Sequence, residues 1–228
     1  MKQINYFCLP NSLISNRALS ASDFAVAAYL YSLATAYGSQ TLVGLSVKVK
    51  QVTIAERCGI SVDTVKRAIA RLSSQDIILG KQRKAKFNKN LGTNTYILKS
   101  INKQDRYTRI SKKAAALLKP SELRVYAVFS MCKENYKNSF FHSLNDLCEI
   151  LHTNKQQIIK TINIMIKKGV VRKQLRKTSC GDYTENKYFI VIQVHGSIKK
   201  VCAIFKIAHT KTVKTVAAYQ NIAFYDTA

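Results

Sequence analysis

The sequence predicts an α+β fold, mainly helical, in which one small domain is built twice. Three observations carry that prediction. A helix-turn-helix pattern occurs in each half at an offset of 93 residues without a gap, the element order around it repeats, and the chain carries a formal charge of +25. The first copy runs Ile54-Ala55-Glu56-Arg57-Cys58-Gly59-Ile60-Ser61 into Val65, Ile69, Leu72 and Ile77-Ile78. The second runs Leu147-Cys148-Glu149-Ile150-Leu151-His152-Thr153-Asn154 into Ile158, Ile162, Met165 and Val170-Val171. Apolar positions correspond one to one, which is the mark of a duplicated supersecondary unit.

Read in order, Tyr6 to Pro10 is an extended lead-in ended by proline. A cap at Ser22 then starts an apolar helix through Phe24, Val26, Ala27, Tyr29, Leu30, Leu33 and Ala34, which Gly38-Ser39-Gln40 ends. Ser46 to Lys50 alternates like a short strand, Thr53 caps a brief helix, Gly59 makes the turn, and Ser61 caps a longer helix to about Ser74. Ile77 to Lys84 and Thr93 to Lys99 read as a hairpin. The order helix, strand, helix, turn, helix, hairpin is that of a winged helix.

The second half follows the same plan. Leu118 to Leu123 echoes Leu19 to Phe24, and a helix continues through Val125, Tyr126, Val128 and Phe129. Phe140-Phe141-His142 takes the place of the short strand, and Val170 to Lys177 with Asn186 to Val191 forms the second wing. The expected organisation is a winged-helix domain at 1–99, a polar linker at 100–109, a second winged-helix domain at 110–192 and a C-terminal helical tail at 193–228. In the tail, Val201, Ile204, Phe205, Ala208, Val213, Val216, Ala217 and Tyr219 recur at helical spacing. That stripe fits a helix packed back on the second domain, or a contact with a second copy or with a replication or transcription partner.

Charge narrows the function. Residues 1–105 hold 15 basic against 5 acidic side chains and residues 106–228 hold 22 against 7, so the excess lies on both halves. Self-repulsion of this size destabilises a compact chain unless a polyanion accepts it. A membrane reading fares poorly: no stretch approaches the roughly 20 apolar residues of a spanning helix. The N-terminus has no secretory core, so the chain reads as cytoplasmic.

The six cysteines show no paired spacing and read as reduced and structural. Cys148 and His152 are four apart and could share a helical face, with His142 nearby, but Cys148 aligns with Ala55, a small core position, so no metal and no cofactor is expected. Acidic residues are scattered, no glycine-rich phosphate loop occurs, and His142, His152, His195 and His209 have no nucleophile or carboxylate to pair with. The chain reads as a non-enzyme.

In a helix-turn-helix the second helix enters the major groove. Spacing turns Val65, Ile69 and Leu72 inward and leaves Asp63, Thr64, Lys66, Arg67 and Arg71 mostly outward. Arg67 suits guanine, whose O6 and N7 a guanidinium spans; Ser61 and Thr64 suit phosphates; Asp63 suits a cytosine amine or simply a helix N-terminus. The second helix presents Lys155, Gln156, Gln157, Lys160, Thr161 and Asn163 after its cap, Asn154, and glutamine suits adenine. The wings carry Lys81, Arg83, Lys84, Lys86 and Lys89 in one copy and Arg172, Lys173, Arg176 and Lys177 in the other, cations placed to grip backbone phosphates.

The stretch from Tyr6-Phe7-Cys8-Leu9-Pro10 through Leu19-Ser20-Ala21-Ser22-Asp23 to Ile54-Ala55-Glu56-Arg57-Cys58-Gly59-Ile60-Ser61-Val62-Asp63-Thr64-Val65-Lys66-Arg67-Ala68-Ile69 resembles the winged helix-turn-helix domains of bacterial plasmid and phage proteins. The doubled architecture, size and basicity resemble the tandem replication initiators of plasmids. The resemblance implies a sequence-specific double-stranded DNA-binding protein that reads a bipartite site, as a replication initiator or transcriptional regulator of a mobile element. The competing reading is a winged-helix adaptor for protein, or an RNA-binding module, without sequence-specific DNA readout.

Overall fold

The computed structural model describes residues 5–42, 44–85, 91–101, 106–133, 139–141, 143–175 and 187–191. The tail expected at 193–228 and the wing tips lie outside them.

The first half begins with strand β1 (Tyr6–Pro10) and the short helix α1 (Asn11–Ile14). Helix α2 (Ala21–Tyr37) starts two residues earlier than the pattern suggests, because Ser20 and not Ser22 is its cap. Ser20 Oγ accepts from the Asp23 backbone N–H, and an Asp23 carboxylate oxygen accepts from the Ser20 N–H at 2.9 Å, closing a capping box. Strands β2 (Ser39–Gln40) and β3 (Gly44–Val49) follow. Helix α3 (Gln51–Cys58) begins directly after β3, so Thr53 lies inside its first turn and caps nothing; the cap position is Lys50, with no side-chain bond. Helix α4 (Val62–Ser74) is capped by Ser61 as expected, and β4 (Ile78–Ala85) and β5 (Leu91–Lys99) form the hairpin. The four strands run in the order β2-β3-β5-β4, all antiparallel.

The second half repeats the plan with β6 (Tyr107–Ser111), α5 (Lys112–Leu117), α6 (Pro120–Cys132), β7 (Ser139–Phe141), α7 (Leu144–Leu151), α8 (Lys155–Lys167), β8 (Val171–Gln174) and β9 (Lys187–Ile190). Its sheet has the order β7-β9-β8. Proline at the first position of α6 fits there because that N–H has no helical partner anyway.

The backbone repeats as closely as the sequence. The Ile60 N–H donates to Ala55 O at 3.0 Å and the Thr153 N–H to Cys148 O at 3.3 Å, which closes the turn of each helix-turn-helix. After each second helix, Ile77 N–H donates to Leu72 O and Val170 N–H to Met165 O, both at 3.0 Å.

The expected linker differs from the structure at its end. Tyr107, Thr108 and Arg109 belong to β6, which pairs antiparallel with β1, Tyr6 against Ser111 and Pro10 against Tyr107. Thr108 and Ile110 turn inward and Tyr107 and Arg109 outward, an alternation hidden in the sequence by the polar identity of Thr108. Thr108 Oγ1 donates to Asn11 Oδ1 at 2.7 Å, so its polar atom is satisfied where it is buried. The lead-in strands of the two halves therefore form one ribbon, and α2 packs along α6 beside it. Phe24, Leu30, Ile54 and Leu72 in one half and Phe129, Leu147, Ile158 and Met165 in the other are fully buried in a single continuous core. Each such side chain contributes about 1.5–3 kcal/mol relative to exposure.

Candidate nucleic-acid interface

Helix α4 buries Val65, Ala68, Ile69 and Leu72; helix α8 buries Ile158, Thr161, Ile162 and Met165. The i, i+3, i+4, i+7 spacing fixes these as the inner faces. The opposite face is turned away from this packing. On α4 this leaves Asp63, Lys66 and Arg67 exposed and Thr64 half-buried. On α8 it leaves Lys155, Gln156, Gln157, Lys160 and Asn163 exposed. The caps hold the entry to each helix: Ser61 Oγ accepts from Thr64 N–H at 3.2 Å, and Asn154 Oδ1 from Gln157 N–H at 2.8 Å. A cap of this kind contributes about 1 kcal/mol and sets where the first turn points.

Two expected contact residues are placed elsewhere. Thr161 is buried, and its hydroxyl donates to Gln157 O at 2.8 Å, so it cannot reach a base. The repeat held the signal, since Thr161 aligns with Ala68, a core position. Arg71 is turned back on the fold: its Nε donates to Asp23 Oδ2 at 2.9 Å and its Nη2 to Oδ1 at 2.7 Å. Asp23 is fully buried and half of the Arg71 side chain is exposed, so the bidentate pair fastens the C-terminal part of α4 to the start of α2. Burial alone would raise the Asp23 carboxyl; hydrogen bonds from Arg71 and Ser20 outweigh it and hold the group below the ordinary carboxylate range. A lone acid inside an apolar helix pattern was the available clue to this pair.

The second half has the equivalent fastening. Glu122 Oε2 accepts from the Lys119 N–H at 3.0 Å, and Lys168 Nζ, just beyond α8, donates to the same oxygen at 2.5 Å. Lys168 also donates to Leu117 O at 2.8 Å.

On the outer face of α4 the charges are partly paired among themselves. Lys66 donates to Asp63 at 2.9 Å, and this bond first, then the Lys66 charge, lowers the fully exposed Asp63 carboxyl. Arg67 Nη2 reaches Thr64 Oγ1 at 3.4 Å. Helix α8 holds no acidic side chain. Of the wing cations, Lys81, Arg172 and Lys173 are exposed, and Arg172 lies 4.8 Å over the Phe189 ring. Lys86, Lys89, Arg176 and Lys177 lie outside the described residues, as do the side chains of Arg83 and Lys84.

Cys58, at the end of α3, packs against the core with its thiol pushed up to about 12 by burial. His152 occupies the turn of the second helix-turn-helix at φ 48°, where the first half has Gly59 at φ 64°. Among the described residues no helix is long and apolar enough to cross a membrane.

Residues 16–78 match a family model described as a helix-turn-helix domain. No curated protein sequence matches the chain. Among solved structures the fold is similar to that of the Pi initiator protein in complex with iteron DNA, with a TM-score of 0.52 and 15% identity over 85% of this chain and 100% of that one.

Proposed function

We propose that this chain is a sequence-reading double-stranded DNA-binding protein that lays two tandem winged helices on a bipartite site, as a replication initiator or transcriptional regulator of a mobile element. It acts without catalysing a reaction, and in the cytoplasm. The observation that carries this reading is the pair of equivalent helices, α4 and α8, each anchored by four inner residues and each offering a cationic, hydroxyl-bearing or amide-bearing outer face. The fold likeness to an initiator held on DNA supports the same reading.

The two outer faces differ, so the half-sites should differ. Lys66 and Arg67 suit guanine and phosphate; Gln156 and Gln157 suit adenine. One monomer would then span an asymmetric site with its two groove contacts about one helical turn apart. The test is selection of duplexes from a randomised pool, followed by a salt titration on the enriched and random duplexes. Enrichment of a bipartite site is expected. If about 6–10 phosphates are contacted, affinity should fall roughly 10³- to 10⁵-fold between 50 and 200 mM salt. Weak binding with nothing enriched would overturn the reading in favour of an adaptor surface. A perfect palindrome read equally by both halves would overturn the asymmetric site.

A further inference from the structure

Arg124 stands within a run of α6, Glu122 to Ser130, in which every residue is buried. A guanidinium in such a place is costly unless its donors are used, and an apolar side chain of similar volume would fill the space at less cost. Two of its donors cross to the other half, while its buried Nε has no partner among the described residues. Nη1 donates to Leu19 O and Nη2 to Asn16 O at 2.9 Å, both in the loop that leads into α2. One residue past that loop begins the capping box in which Asp23 holds Arg71 of α4. The equivalent position in the first half is Ala25, also buried, so duplication placed no second arginine there. Arg124 thus serves the junction between the halves and not the repeated domain.

We propose that Arg124 is a positioning residue that fixes the distance and angle between the two recognition helices, and thereby the spacer length of the DNA site. The inference rests on the bipartite reading above. Its fork grips two carbonyls at once, which resists sliding as well as separation. Beyond the β1–β6 ribbon and the packing of α2 on α6, the arginine adds a polar fastening at the base of α2 that sets how the two halves register. From there the Asp23–Arg71 pair passes the position on to α4. One base pair added between half-sites displaces the second by about 3.4 Å and turns it by roughly 35°, so a rigid junction must discriminate spacings.

The test uses the full chain, wild type and Arg124→Met. Duplexes carry the enriched site, the same site with one or two base pairs added or removed between its halves, and each half-site alone. Two tethered modules gain affinity only where the geometry allows both to bind. The wild type should therefore lose about tenfold or more when the spacing changes by one base pair. Arg124→Met should hold its half-site affinities within about twofold, weaken on the best spacing by about tenfold, and vary less than about threefold across the series. A spacing profile as sharp as that of the wild type would overturn the proposal. A wild type that binds the full site no tighter than a half-site would overturn the bipartite reading, and one that gains from both half-sites but ignores spacing would overturn this inference alone. Should Arg124→Met not melt cooperatively, Arg124→Lys serves instead: a single ammonium cannot reproduce the fork, so the profile should flatten in the same direction, and an unchanged profile again overturns the assignment.

Discussion

The two helix-turn-helix units close with equivalent backbone hydrogen bonds, yet α4 is fastened to α2 and the end of α8 to α6 by different means. In the first half a buried aspartate takes both arms of Arg71 from within α4. In the second, Glu122 takes a single bond from Lys168, one residue past the end of α8. Their tight backbone positions are exchanged as well. The left-handed residue of the turn is Gly59 in one half and His152 in the other, and the one after the second helix is Asp76 at φ 53° against Gly169 at φ 68°. The backbone of the two units is alike while the side chains that support it differ, so equivalent substitutions should have unequal effects.

The largest inequality is expected at the acidic fastenings. Asp23→Asn leaves Arg71 without its carboxylate and should cost about 3 kcal/mol, the low end for a broken buried pair because half of Arg71 faces water. Glu122→Gln, which loses one bond to a lysine, should cost roughly half as much. Denaturant melts of the two variants give the comparison, and equal losses would break it. The aspartate also makes a pH prediction. Its folded-state pKa is lowered, so its contribution is full above the unfolded value near 4 and is lost as pH falls through the lower folded value. Acid destabilisation below about pH 4 should be reduced in Asp23→Asn.

The next effect separates reading from support on α4 itself. Arg67→Ala should cost about 1–3 kcal/mol in binding the selected site and relax preference at one position. Arg71→Ala should lower stability while leaving the base preferences unchanged. Selection profiles of both variants decide; a changed preference in Arg71→Ala would return that residue to the interface.

Smaller again are the exchanged backbone positions. Gly59→Ala meets no neighbour within 4 Å, so its cost is the backbone conformation alone, about 1 kcal/mol. His152→Gly relieves the same conformation but loosens the unfolded chain, so it should be neutral or stabilising by no more than about 1 kcal/mol. Thermal melts showing equal losses for both would refute the exchange. The smallest effect is chemical: Cys58, with its thiol near 12 by burial, should react with a thiol reagent at pH 8 much more slowly than the unfolded chain does.

The sequence by itself did not show α1, β2 or α5; it determined the repeated helix-turn-helix pattern, the inner faces of α4 and α8, the caps Ser61 and Asn154 and the basic character of both halves. Each of these is a local or periodic property: a cap needs a residue within four of the helix start, and a buried face needs only its spacing. What only the tertiary structure decided are pairings between distant residues. Tyr107 to Arg109 reads as polar linker until β1 lies beside it. Arg71 reads as an outward cation until Asp23, 48 residues away, takes its guanidinium. Arg124 has no meaning within its own helix, because both carbonyls it grips belong to the other half of the chain. An ion pair or a strand edge is satisfied by whatever the fold brings to it, and helical or strand periodicity carries no record of that partner.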